Sequence, residues 1–164
     1  MLKMKVSLVW LTISFVCLLP WYLLAQNSPK DYLKIHNAAR AKVGVKSLKW
    51  SFQLEEYAQA HLTMYIRDCM LKLSPAGNPY GENIAFERVG SLKELTGAEA
   101  VRLWLVQKQY YDEKSNSCVG GDCLSYTQVV WDTTTYIGCA RVKCNNGRYM
   151  VSCNYYPPGN YVLD

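Results

Sequence analysis

The sequence predicts an α+β domain in which helices cover an antiparallel sheet. Three observations carry that expectation. Apolar residues recur at helical spacing through the first two-thirds of the chain. Two apolar runs near the end flank Asn145-Asn146-Gly147, and Asn-Gly favours a tight hairpin turn. Six cysteines remain once an apolar leader is set aside, an even number that suggests three disulfides.

The leader is Met1 to Ala25. Lys3 and Lys5 give it a positive start, Val6 to Leu19 is an apolar core too short to span a bilayer, and Ala25 is a small residue at a plausible cut. Leu23 is larger than the position before such a cut prefers. An uncleaved membrane anchor is the competing reading. Residues 26–164 then form one domain, large enough to bury about two-thirds of its unfolded surface. The chain has 18 basic and 13 acidic side chains. Removing Lys3 and Lys5 with the leader leaves a net charge of +3. A mild charge with no basic run does not point to nucleic acid.

Ser28-Pro29 reads as an N-cap with proline in the first turn. Tyr32, Ile35, Ala39 and Val43 form the apolar stripe of the first helix, and Gly44 can end it. Ser51 starts a second helix, along which Leu54, Tyr57, Ala58, His61, Leu62, Tyr65 and Ile66 keep helical spacing. Residues 72–81, with Pro75, Gly77, Pro79 and Gly81, are a loop. Thr96 to Glu99 resembles a capping box, and Ala100, Val101, Trp104 and Leu105 make the inner face of a third helix. Ser115 to Gly121 is a polar loop. Tyr126 to Trp131 has the β-branched and aromatic residues of a buried strand, and Ile137 to Cys144 and Arg148 to Tyr155 are the hairpin strands.

Cys17 leaves with the leader. Cys69, Cys118, Cys123, Cys139, Cys144 and Cys153 allow fifteen pairings. No Asn-x-Ser/Thr acceptor occurs after residue 25, so N-glycosylation is not expected. Metal chemistry has few donors: the two histidines, His36 and His61, both lie on predicted helices, and His61 sits on an apolar face where a core role is commoner than ligation. Ser125 has no nearby base and no Gly-x-Ser-x-Gly elbow. Glu82 in "PYGENI" is the best single acid–base candidate, weighed against a carboxylate that accepts backbone hydrogen bonds and fixes its loop.

Several stretches in order, "SPKDYLKIHNAARAKVGVKSLKW", "YAQAHL", "PYGENIAF", "YYDEKSNSCVGGDC", "YTQVVWDTT", "IGCARVKCNNG" and "VSCNYYPPGN", resemble the plant pathogenesis-related proteins of group one, within the CAP (SCP) superfamily. The resemblance covers nearly all of residues 26–160. It implies an α-β-α sandwich with a central antiparallel sheet. It also implies the pairings Cys69–Cys144, Cys118–Cys123 and Cys139–Cys153.

The family lines a central cleft with two histidines and two glutamates. Carried over singly, these positions fall at Leu73, Glu82, Gln107 and Ser125. Only Glu82 keeps the family residue. Leucine cannot ligate, glutamine is neutral and a serine hydroxyl is a poor zinc ligand. No metal, no cofactor and no catalytic residue are therefore expected.

Extracellular defence against fungi through sterol or lipid binding is what the resemblance implies. An aromatic loop at the end of the long helix corresponds to Trp104 to Asp112, and it makes Trp104, Tyr110 and Tyr111 the lipid-binding candidates. Core packing is the favoured role for Trp104. The expected partners are a sterol or lipid ligand or a microbial surface, with a monomeric protein in the apoplast or vacuole. Two rival readings stand beside this: a precursor of a signalling peptide cut before Pro157, and a cleft hydrolase using Glu82. The terminal "CNYYPPGNYVLD" has Tyr156 where the family commonly has aspartate, and it stops short of the usual end.

Overall fold

In a computed structural model, residues 27–161 are described, except 71–72 and 75–76. The leader expected at residues 1–25 lies outside the described residues. Eleven elements follow in chain order: α1 (Pro29–Lys42), β1 (Lys49–Trp50), α2 (Phe52–Thr63), β2 (Gly81–Phe86), α3 (Gly97–Val106) with a 3₁₀ turn (Gln107–Tyr110), β3 (Tyr111–Asp112), β4 (Ser117–Cys118), α4 (Leu124–Val129), β5 (Tyr136–Lys143) and β6 (Tyr149–Tyr156).

Local chemistry explains most helix borders. Asp31 accepts from both the backbone and the hydroxyl of Ser28, closing a capping box in front of Pro29. Gly44 takes the left-handed conformation just past the end of α1, at φ +75°. Ser51 caps α2 through Leu54, and Thr96 and Glu99 cap each other at the start of α3. Helix α2 stops at Thr63, earlier than the apolar spacing suggests. Tyr65 and Ile66 continue in turns that still pack on the core.

The main sheet has the order β1-β5-β6-β2. Strands β5 and β6 form the expected hairpin, with Cys139 opposite Cys153. Strand β2 pairs antiparallel with β6 over six residues, and β1 adds a short parallel edge. The composition of Gly81–Phe86 does not by itself mark β2 as a strand.

Side-chain alternation sends two sets of residues to opposite faces. Ala85, Ile137, Cys139, Val151, Cys153 and Tyr155 meet Tyr32, Val101, Trp104 and Val129 from α1, α3 and α4. Ala140, Val142 and Met150 meet Ala58 and Leu62 of α2 on the other side. The result is the α-β-α sandwich. Gly138 allows the close approach of α2: a Cβ there would lie 2.2 Å from the Glu55 backbone nitrogen.

All three expected disulfides are present: Cys69–Cys144, Cys118–Cys123 and Cys139–Cys153.

Two expectations need correction. Residues 126–131 are not a strand, because Leu124 to Val129 form the short helix α4. Its backbone pairs within helical turns, Thr127 N donating to Cys123 O and Val130 N to Tyr126 O. The helix ends are also supplied with partners. Gln107 Oε1 accepts from Ser125 N at 2.8 Å, and the Arg40 guanidinium donates to the carbonyls of Val129 (3.0 Å) and Trp131 (2.7 Å).

The second correction concerns the stripe on α1. Tyr32, His36 and Arg40 are its buried residues, while Val43 is exposed. Arg40 is tolerated in the interior because Nε also donates to Lys46 O and Nη2 to Thr134 O, so its donors face carbonyls throughout.

Candidate functional site

The four cleft positions fall into two groups. Leu73 is 71% exposed and offers no polar atom. Its neighbour Ser74 donates to Glu82 twice, from the backbone at 2.8 Å and from the hydroxyl at 3.1 Å. Glu82 Oε1 also accepts from His61 Nδ1 at 3.1 Å, and Ser152 Oγ reaches it at 3.5 Å. The Glu82 side chain is only 6% exposed. Its oxygens are therefore occupied by groups that tie the 70–80 loop and α2 to the sheet.

His61 is only half satisfied: Nε2 is buried with no hydrogen-bond partner among the described residues, as are both side-chain polar atoms of Asn154. Asn154 pairs with Glu82 across β2 and β6 and so faces the same side. The pairing of His61 with Glu82 had no signal in the sequence beyond the histidine on an apolar face. It required the register of β2 to be known.

Gln107 and Ser125 meet each other on the opposite side of the sheet. Beyond the Gln107–Ser125 bond, Ser125 O accepts from Asn83 Nδ2 at 2.9 Å, and Asn83 also donates to the Tyr155 hydroxyl at 3.2 Å. His36 completes this network. Its Nδ1 lies 2.9 Å from the Tyr32 carbonyl, which can only accept, so Nδ1 holds the proton. Nε2 then accepts from the Tyr155 hydroxyl at 2.9 Å. Burial, with Arg40 nearby, pulls the His36 pKa down to about 4, and burial pushes that of Tyr155 up. The network is neutral and built for rigidity.

Of the residues at the four carried-over positions, only the Glu82 carboxylate is an ordinary metal ligand. Leucine, glutamine and serine stand at three of the four cleft positions. Among the described residues no group of three His, Cys, Asp or Glu converges.

The aromatic candidates also divide. Trp104 is 3% exposed and donates its indole N–H to Ile84 O, so it belongs to the core and lines no surface groove. The Tyr110 ring packs over Gly121 in the loop closed by Cys118–Cys123. Tyr111 lies on the surface, with its ring 5.6 Å from that of Tyr126 and its hydroxyl donating to Asn116. It is a shared wall of two adjoining grooves. One, of about 380 Å³, runs past Val43, Val45, Tyr126 and Val130. The other, of about 360 Å³, runs past Val130 and Trp131 and is edged by Asn116, Thr127 and Asp132. Lys108 and Glu113, an exposed ion pair at 3.6 Å, stand at the rim of the first.

The model of the Cysteine-rich secretory protein family, CAP, matches residues 33–155. The chain belongs to the CAP family. Within it the chain is of the plant pathogenesis-related 1 type: it is 49% identical to pathogenesis-related protein 1A of Nicotiana tabacum over 161 residues, covering 98% of this chain and 89% of that one. Solved CAP structures agree in fold. Na-ASP-1 superposes with a TM-score of 0.67 at 25% identity, covering 80% of this chain and 39% of its own, so the chain spans well under half of that longer protein. Venom allergen-like protein 4 of Schistosoma mansoni gives 0.60 at 28% identity, covering 80% and 88%. In this CAP chain the three disulfides fit an oxidising compartment.

Proposed function

We propose that this chain is a secreted, non-enzymatic defence protein that acts on fungi by binding a sterol or other lipid. The observation that carries the reading is the pair of grooves meeting at Tyr111. Tyr111, Tyr126, Trp131 and three valines give them one apolar, partly aromatic wall against which a flat ring system can lie, and Lys42, Lys108, Glu113, Asn116, Thr127 and Asp132 form their polar edge. The sterol ring system would lie against Tyr111 and Val130. A hydroxyl would point towards Lys108 and Glu113.

Saturable ergosterol binding by the purified protein is the expected result, weakened about tenfold in Tyr111→Ala, since a lost aromatic wall is worth roughly 1 to 2 kcal/mol. No saturable binding would sink the lipid reading.

The state of Glu82 supports the absence of catalysis and of metal. A general base needs a free oxygen within reach of substrate. Here four donors occupy a carboxylate that is almost fully enclosed. Calorimetry with zinc is expected to give no stoichiometric binding. Stoichiometric zinc that is lost in Glu82→Ala would overturn this.

A peptide released before Pro157 has less support. Residues 157–160 are tied to the domain. Pro157 O accepts from Thr134 Oγ1, Gly159 N donates to Gln128 Oε1, and Asn160 bonds both Thr127 and Leu124.

A further inference from the structure

A second groove, distant in sequence from Tyr111, opens at the end of the sheet where β1 and β5 begin and β6 finishes. Its volume is about 560 Å³. Trp50, Tyr80, Tyr136 and Tyr156 wall it, with Gln53 and Pro79 beside them. Tyr136 and Tyr156 are direct cross-strand neighbours, 41% and 49% exposed. The Tyr80 ring stands edge-on to Tyr156 at 6.2 Å and to Tyr57 at 5.0 Å. These contacts hold the rings as a pre-set aromatic surface, so little side-chain entropy is left to lose on binding. Among the described residues, none that lines the groove is charged.

We propose that this groove binds a neutral pyranose oligomer. The chemistry of the wall selects that class. A pyranose has flat C–H faces that lie on aromatic rings and an equatorial rim of hydroxyls that both donate and accept. The wall offers the matching pair: ring faces, and at their tips tyrosine hydroxyls and the Gln53 amide, which also donate and accept. Without a cation the groove has nothing to hold a phosphate or an acidic sugar. A proline-rich peptide is the other aromatic-groove ligand. It would look to the tryptophan N–H for a bond to its carbonyls, but Glu55 already accepts the Trp50 indole N–H at 2.8 Å.

The test is titration of the purified protein with laminarihexaose, mannohexaose and N-acetylchitohexaose, followed by NMR, including the Trp50 indole N–H signal. Saturable binding of at least one hexamer is expected, with shifts at the Trp50 indole and at Tyr80, Tyr136 and Tyr156. Tyr156→Ala should weaken it roughly tenfold, and Tyr156→Phe, which keeps the ring, by much less. Ergosterol binding at the Tyr111 grooves is read in parallel and should be the same in Tyr156→Ala as in the parent protein. The two proposals therefore fail separately. Tyr136→Ala serves as a second variant if Tyr156→Ala lowers the melting temperature. The proposal is overturned if no hexamer binds, if both alanine variants bind as well as the parent, or if hexaproline occupies the groove and the sugars do not.

Discussion

His36 shows what a single buried side chain costs and contributes. It is fully enclosed, its Nδ1 proton is held by a carbonyl, and its Nε2 is an acceptor. Protonating Nε2 would put a charge in a fully buried site and beside Arg40, so burial first and Arg40 second pull its pKa down to about 4. In the unfolded chain the same group titrates near 6.5. Between those values the unfolded state binds the extra proton, so folding stability rises with pH through this window. The contribution is complete above about pH 6.5 and is lost as pH falls towards 4, about 3 kcal/mol in all. Urea unfolding of the parent and of His36→Gln at several pH values checks it. The difference between their curves should shrink by that amount from pH 7 to pH 4, and parallel curves would refute the assignment.

At the scale of elements, the decisive contact is α2 on the sheet. Gly138 of β5 lies directly under the first turn of α2, and a methyl group there would meet the backbone at Leu54 and Glu55. Backbone cannot swing aside as a side chain can. Gly138→Ala should therefore cost about 2 to 3 kcal/mol through displacement of the helix. A melting temperature within a degree of the parent's would show that α2 is free to slide. The same packing holds His61 against Glu82, so the variant should also loosen the 70–80 loop, visible as faster amide exchange at Ser74. Helix α4 depends on its neighbours differently. Six residues are too few to be stable alone. Gln107 at its start and Arg40 at its end supply the hydrogen-bond partners that its own sequence lacks.

For the whole molecule the staples matter most. Cys69–Cys144 closes a separation of 75 residues, joining the segment after α2 to the end of the hairpin. The loop-entropy relation assigns it about 4 kcal/mol, more than the five-residue span of Cys118–Cys123. The double change Cys69→Ser with Cys144→Ser should lower unfolding stability by that order. Set against a total of about 5 to 15 kcal/mol for a domain of this kind, this would sharply reduce the yield of folded protein. Unchanged stability would mean that the unfolded chain is already compact there. The sandwich so held presents its two proposed binding sites with different parts: the paired grooves at Tyr111 at the foot of α3, and the groove of Tyr136 and Tyr156 at the sheet end.

Sequence alone determined the features whose cause is local. Ser28-Pro29 and Thr96 to Glu99 mark helix starts because a cap satisfies backbone groups within three residues. Asn145 to Gly147 marks the hairpin because its turn needs particular backbone angles. An even cysteine count marks the staples, and the family resemblance supplied their pairing. Tertiary structure decided whatever depends on the surface a segment meets. Tyr126 to Trp131 has a strand's composition but becomes part of a helix and the turn after it, because Gln107 and Arg40 stand where they supply hydrogen-bond partners to the two ends of a helix. His36 and Arg40 are polar yet interior, because carbonyls and the Tyr155 hydroxyl await them there. Trp104 and Tyr111 come from one aromatic stretch, but only Tyr111 reaches the surface. Trp50, Tyr80, Tyr136 and Tyr156 form one wall only after β1, β5 and β6 are in register, since no periodicity in a chain connects residues so far apart.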